Sequence, residues 1–258
     1  MTYTVTMRKR LLIFGAILVA AGGITSYWLT HQPLPDVGEV KRPVVTKKVV
    51  PPQPPQPFNK ALYSIADPVS IWLVVNKQRP LQPLDYVPAD LVTPSVAKRD
   101  GGMQLRHETS VAMSELFAAA AANKTPLKLA SAYRSYTYQV GLYNGYVKSQ
   151  GQAVADSQSA RPGYSEHQTG MAADVSPLDG RCNLQACFAD TPAGQWVAAN
   201  AYKYGFIIRY GKDLTPITGY TYEPWHIRYI GKPLALEMHN LGILTLEQFF
   251  ELPAAPEY

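Results

Sequence analysis

Two short stretches hold the residue types from which hydrolytic chemistry is built. In "YSEHQTGMAADVSPLDG", Tyr164 to Gly180, His167 stands seven residues before Asp174, with mostly small or polar residues between them. Further along, "YEPWHIRYI" places His226 three residues after Glu223. An imidazole and a carboxylate suit zinc, but two ligands do not hold a metal, so His226 is required as the third. Catalytic zinc takes three protein ligands and keeps a fourth position for water, whose pKa falls toward about 7. A nearby carboxylate then takes the water's proton as it attacks a carbonyl, and Glu223 is available for that role. The residues alone leave a second reading open, in which these histidines are structural or solvated, as expected for His31, His107 and His239.

Strands and helices must bring these side chains together. Read as a strand, the run after Thr169 alternates, with Gly170, Ala172 and Asp174 on one face and Met171, Ala173 and Val175 on the other. Small side chains beside Asp174 leave room for a bulky group. On a regular strand Glu223 and His226 would face opposite sides, so Pro224 points to Glu223 approaching from a loop instead of the ladder.

The spacing of Val111, Met113, Leu116 and Phe117 in "HETSVAMSELFAAAAANK" predicts a helix. A strand over "LKLASAY" and a second helix over "SYTYQVGLYNGYVKSQG", ended by Gly151, follow. In "DTPAGQWVAANAYKYG", Asp190 or Thr191 is the cap, Pro192 lies in the first turn and Gly205 stands just past the end. "FIIRY" and "WHIRYIG" are β-rich, "KPLALEMHN" is helical, and Thr245 to Gln248 has capping-box spacing. Helices and strands mix without regular βαβ order, which predicts an α+β fold.

The net charge of +5 belongs to the N-terminal tail. Before Phe58 seven basic residues meet two acidic ones, and from Phe58 onward seventeen meet seventeen. A formally neutral body has no phosphate-binding field, so nucleic acid is excluded as a partner. "MRKR" precedes nineteen uncharged residues, Leu11 to Leu29, near the length that spans a bilayer. The flanking positives put the N-terminus in the cytoplasm, with Tyr27 and Trp28 at the far interface. An uncleaved anchor and a cleaved signal peptide are the two readings of this run, and both export the body. Residues 31–57, with "KRPVVTKKVVPPQPPQP", read as a semi-rigid spacer, and the folded domain is expected over 58–258. The cysteines Cys182 and Cys187 make a poor zinc site on their own. In an exported domain they are expected to form a local disulfide.

Together "SEHQTGMAAD" and "EPWH" resemble the VanY-type D-alanyl-D-alanine carboxypeptidases, zinc peptidases of the bacterial cell wall. The motif S-x-H-x-x-G-x-A-x-D followed by E-x-W-H is matched at every fixed position, and the likeness extends from about Trp72 to Ile230. It implies a small catalytic domain with a central antiparallel sheet flanked by helices and zinc in a cleft. It also implies His167, Asp174 and His226 as ligands of one zinc ion, and Glu223 as general base. Arg134 of "YRS" matches the arginine at the scissile carbonyl, a permanent cation where the oxyanion develops. Gln139 and Ser165 match positions that hydrogen-bond the bound peptide.

The implied reaction removes the terminal D-alanine from peptidoglycan stem peptides. The chain is expected to be a monomer, and the 11–29 run, which lies outside the resemblance, is expected to anchor it in the bacterial membrane with its catalytic domain outside. An L,D-carboxypeptidase or a cross-link endopeptidase would use the same motifs. A non-catalytic wall-binding module would not need Glu223.

Overall fold

The computed structural model describes residues 57–258, so the expected membrane helix and nearly all of the spacer lie outside the described residues. No helix among the described residues is long and apolar enough to cross a membrane. The first apolar run, 71–75, is largely buried without joining a sheet. It lies along the domain as a covering arm: the Trp72 indole donates to the Ile230 carbonyl at 3.1 Å, and Arg228 donates to the Leu73 carbonyl at 2.8 Å.

Two short antiparallel strands follow, β1 (Leu91–Val92) and β2 (Leu105–Arg106), the second leading directly into α1 (His107–Ala122). Met113, Leu116 and Phe117 are buried on α1 as their spacing predicts, whereas Val111 is exposed. The buried stripe runs instead through Thr109, Ala112 and Ala120, whose small side chains let the helix lie close to its neighbours. β3 (Leu127–Ser131) is followed by α2 (Tyr136–Gln150), where the Ser135 side chain accepts from the Tyr138 N–H and Gly151 ends the helix. The chain then re-enters a helix at once as α3 (Gln152–Gln158).

β4 (Ala172–Pro177) leads to α4 (Pro192–Asn200), capped by Thr191 with Pro192 in its first turn. β5 (Phe206–Tyr210), α5 (Thr215–Thr218), β6 (Glu223–Tyr229), α6 (Lys232–Leu241) and α7 (Leu246–Phe249) complete the order. The Thr245 side chain caps α7.

Four strands form one antiparallel sheet in the order β3-β4-β6-β5. Strand alternation divides its two faces by chemistry. Ala173, Val175 and Ile227 join the apolar core with Met113 and Leu116 of α1 and Val197 of α4. A second apolar cluster gathers Trp72 and Ile230 with Leu234 and Met238 of α6 and Phe249 of α7. The opposite face of the central strands carries Asp174, His226 and Arg228, all buried.

Two local expectations are corrected. Gly170 is not part of the strand. It closes the 3-10 turn Glu166–Thr169 at φ 68°, a left-handed conformation suited to glycine, and a β-carbon there would come within 2.9 Å of Arg106 Cγ. Glu223 does not enter from a loop, because it is the first residue of β6 and pairs with Tyr210.

Candidate active site

Asp174 and His226 are direct partners across β4 and β6, so the ladder itself brings a carboxylate and an imidazole together. The His226 Nδ1 lies 3.4 Å from Asp174 Oδ1, and the His167 Nε2 lies 3.4 Å from Asp174 Oδ2. His167 arrives from the 3-10 turn that precedes β4, and its Nδ1–H donates to the Ala132 carbonyl at 2.8 Å, which leaves Nε2 with its lone pair facing the site. One ligand atom from each of the three residues lies within 4.8 Å of the others. Among the described residues, His167 Nε2 and Asp174 Oδ1 are buried without a hydrogen-bond partner. Orphaned acceptors of this kind, converging on one space, fit a cation bound between them.

Glu223 reaches the same place through an irregular ladder. Ile227 faces Ile208, but Glu223 faces Tyr210, so Pro224, Trp225 and His226 of β6 lie opposite Arg209 alone. Such a bulge re-aims side chains and tolerates a proline without a donor N–H, and it puts Glu223 Oε2 3.5 Å from His226 Nδ1.

The cleft above these groups holds about 440 Å³ and is lined by Arg134, Ser165, Tyr210, Trp225 and the metal-capable triad, among others. Arg134 presents a guanidinium whose Nε has no partner among the described residues. Ser165 is buried at the cleft edge. Gln139 sits behind the wall: its amide donates to Ser159 Oγ at 3.2 Å and to the Ala160 carbonyl at 2.7 Å, and it is Ser159 and Ala160 that line the cleft. The expected Cys182–Cys187 disulfide is present, and Leu184, Gln185 and Ala186 within its loop form part of the cleft wall.

The local electrostatics separate the two acids. Burial pushes the Glu223 carboxyl up to about 7, against the pull of His226. Burial would also raise Asp174, but the two histidines hold it well below the usual range. Burial and the Arg134 charge bring His167 down to about 4. His226 moves oppositely: burial would lower it, but the Asp174 and Glu166 carboxylates beside its two nitrogens raise it to about 9. A carboxyl poised near neutrality beside an ionised Asp174 separates a general base from a ligand.

Below the site lies a group of charges that the sequence reading did not single out. Glu166 Oε1 accepts from Arg209 Nε at 2.9 Å and from Arg228 Nη1 at 2.8 Å, with these side chains fully buried. Arg209 also makes a two-pronged contact with Glu247, at 2.9 and 2.6 Å, and Asn76 donates to the same carboxylate at 2.9 Å. Two cations against two anions leave the cluster neutral. Removing one member of such a set leaves a charge uncompensated, typically at a cost of about 3–5 kcal/mol. The signal was present: "FIIRY" and "WHIRYI" each set one arginine inside a β-rich apolar run.

Comparison with known proteins agrees with this geometry. A family model described as VanY, D-alanyl-D-alanine carboxypeptidase, matches residues 102–232. A putative carboxypeptidase, YodJ of Bacillus subtilis, is 42% identical over 194 residues, covering 74% of this chain and 70% of YodJ. The solved LdcB LD-carboxypeptidase is similar at TM-score 0.67 and 42% identity, over 71% of this chain and 87% of its own. The D,D-pentapeptidase VanY of a VanB-type vancomycin-resistance cassette, solved with Zn(II), is similar at TM-score 0.59 and 32% identity, over 70% and 99%. With its motif residues gathered in one cleft and these likenesses along most of the domain, the chain belongs to the VanY D-alanyl-D-alanine carboxypeptidase family.

Proposed function

We propose that the protein is a zinc-dependent carboxypeptidase that releases the terminal D-alanine from peptidoglycan stem peptides by hydrolysing the D-alanyl-D-alanine bond. The observation that carries this reading is the meeting of His167, Asp174 and His226 with Glu223 and Arg134 in one cleft. His167 Nε2, an Asp174 carboxylate oxygen and His226 Nδ1 would hold the ion. Zinc, when bound, supplies Lewis acidity that polarises the scissile carbonyl and acidifies water.

The chain's own groups do the rest. Glu223 removes a proton from the attacking water and returns it to the leaving amine, a task for which a carboxyl raised by burial is suited. Arg134 faces the carbonyl oxygen as negative charge develops there, where a permanent cation lowers the barrier most. Ser165 hydrogen-bonds the peptide from the cleft edge, and Gln139 acts by holding the Ser159–Ala160 wall in place. No acyl-enzyme forms, so serine-acylating agents leave the activity intact.

An L,D-carboxypeptidase activity is the second reading, favoured by the higher likeness to LdcB than to the VanY D,D-pentapeptidase, 42% against 32% identity. Mass spectrometry of defined penta- and tetrapeptide stems after incubation separates the two. Loss of one D-alanine from the pentapeptide supports the first reading, and loss from the tetrapeptide alone supports the second. The apolar run at 11–29 and the disulfide support a membrane-anchored chain with its catalytic domain outside the cytoplasm, where peptidoglycan lies.

A further inference from the structure

We propose that Glu166 is a positioning residue for the metal site, holding His226 in the one ring orientation that turns Nδ1 toward the cleft. The proposal rests on the zinc-peptidase reading and extends it to a residue beneath the ligands. The Glu166 carboxylate is divided between two tasks. Oε1 takes both arginines, Arg209 and Arg228, while Oε2 faces His226 Nε2 at 3.3 Å. The two arginines fix the carboxylate, and the carboxylate in turn fixes the imidazole.

The opposite ring nitrogen, Nδ1, lies 3.4 Å from Asp174 and 3.5 Å from Glu223, on the cleft side. A flipped ring would take Nε2–H away from Glu166 in a place closed to water, leaving a buried carboxylate oxygen without that donor. The same 3-10 turn therefore serves both histidines. It presents His167 as a ligand and sends the adjacent Glu166 to the far side of His226. A metal-ligating histidine that donates its other N–H to a carboxylate is held in tautomer and angle, and loss of that partner costs typically about 10–100-fold in metal affinity.

As counter-ions Glu166 and Glu247 both neutralise Arg209 in the same buried cluster, Glu166 taking Arg228 as well. Of these two, Glu166 is the one that meets His226. The test is zinc affinity of the full chain, measured by competition with a chromophoric chelator after metal removal, for unaltered protein, Glu166→Gln and Glu247→Gln. Each variant removes one negative charge from the cluster, and both are expected to lower the melting temperature of the metal-free protein. Glu166→Gln is expected to weaken zinc binding about 10–100-fold, with Glu247→Gln close to unaltered protein. Equal weakening in both variants, or none in Glu166→Gln, overturns the proposal.

If Glu166→Gln does not fold, imidazole ¹⁵N spectra of the unaltered zinc-loaded protein decide. A proton on His226 Nε2, with Nδ1 shifted by the metal, is expected, and a metal-shifted Nε2 overturns the assignment. Absence of zinc binding by the unaltered chain would overturn the zinc-peptidase reading itself, and this proposal with it. Failure of the parent reading is thereby distinguishable from failure of the Glu166 role.

Discussion

The floor and the wall of the cleft are built by different means. On the floor, Asp174 and His226 are ladder partners, and a neutral cluster of buried arginines and glutamates lies directly beneath. On the wall, Leu184, Gln185 and Ala186 belong to a loop outside the sheet, closed by the Cys182–Cys187 bond. Cys182 and Leu184 there adopt positive φ of 52° and 53°, and Leu184 is 36% exposed. Groups that must hold charge at fixed distance are fastened by many directional contacts at once, whereas a surface that only shapes the space needs fixing at its ends. Perturbing the floor should therefore change metal content or the chemical step, and perturbing the wall should change substrate binding.

The largest expected effect lies on the floor. His167→Ala or His226→Ala should lose most of the zinc and with it the hydrolysis, because two ligands rarely hold what three can. Elemental analysis of purified protein checks this, and a metal-free variant with full activity would remove the basis of the comparison. In the metal-free protein His226 is raised to about 9 and carries a proton that zinc must displace. Zinc affinity of the unaltered chain should then rise about tenfold per pH unit between about 7 and 9. A pH-independent affinity would show that Nδ1 is already free.

Glu223 comes next and separates ligand from base. Glu223→Ala should keep zinc and lose about 10²–10⁴-fold in turnover, equivalent to about 3–5 kcal/mol in the barrier. Zinc leaving with the carboxylate would make Glu223 a ligand. Stability gives an independent reading. Folded metal-free protein keeps a proton on Glu223 up to about 7, whereas the unfolded chain releases it near the ordinary value of 4.5. The folded state thus binds more protons across that window, and stability falls as pH rises from about 4.5 to 7, by about 3 kcal/mol. Glu223→Gln should show a fall smaller by about that amount than unaltered protein, read by comparing the two proteins' change in melting temperature, metal-free, between pH 5 and pH 8. Arg134→Ala should keep zinc and slow turnover about 10²–10³-fold, as expected for loss of an oxyanion contact.

The legible part of the floor was the part written in short motifs. His167, Asp174 and His226 could be named from residue type and spacing, whereas their meeting across β4 and β6 is a contact the structure adds. Helix ends were equally readable, since Thr191, Thr245 and the glycines at 151 and 205 act through local geometry. The bulge was not readable. Pro224 announced an irregularity, but whether the ladder stops or merely slips depends on what pairs with Tyr210, and that is a contact between distant segments. Glu166 was hidden for the same reason: its partners come from β5 and β6, some 40 to 60 residues away. Charge counts balance without saying who meets whom.

The smallest effect is expected on the wall, and it tests the comparison most directly. Replacing both Cys182 and Cys187 by serine opens a loop of six residues, worth about 2 kcal/mol of stability by chain entropy. A non-glycine residue held left-handed costs roughly 1–2 kcal/mol, so Cys182 and Leu184 have reason to relax once the clamp is gone. The wall carrying Leu184, Gln185 and Ala186 then spends part of its time away from the substrate. A penalty of about 1 kcal/mol corresponds to a factor of about five, and it should appear in KM, because the loop supplies none of the metal-capable triad and contains neither Glu223 nor Arg134. Zinc content and kcat should stay near those of unaltered protein. Steady-state kinetics on a stem peptide, with metal content measured on the same samples, gives the answer. A fall in kcat at constant KM, or loss of zinc, would show that the loop positions the floor as well and that the two regions are one mechanical unit.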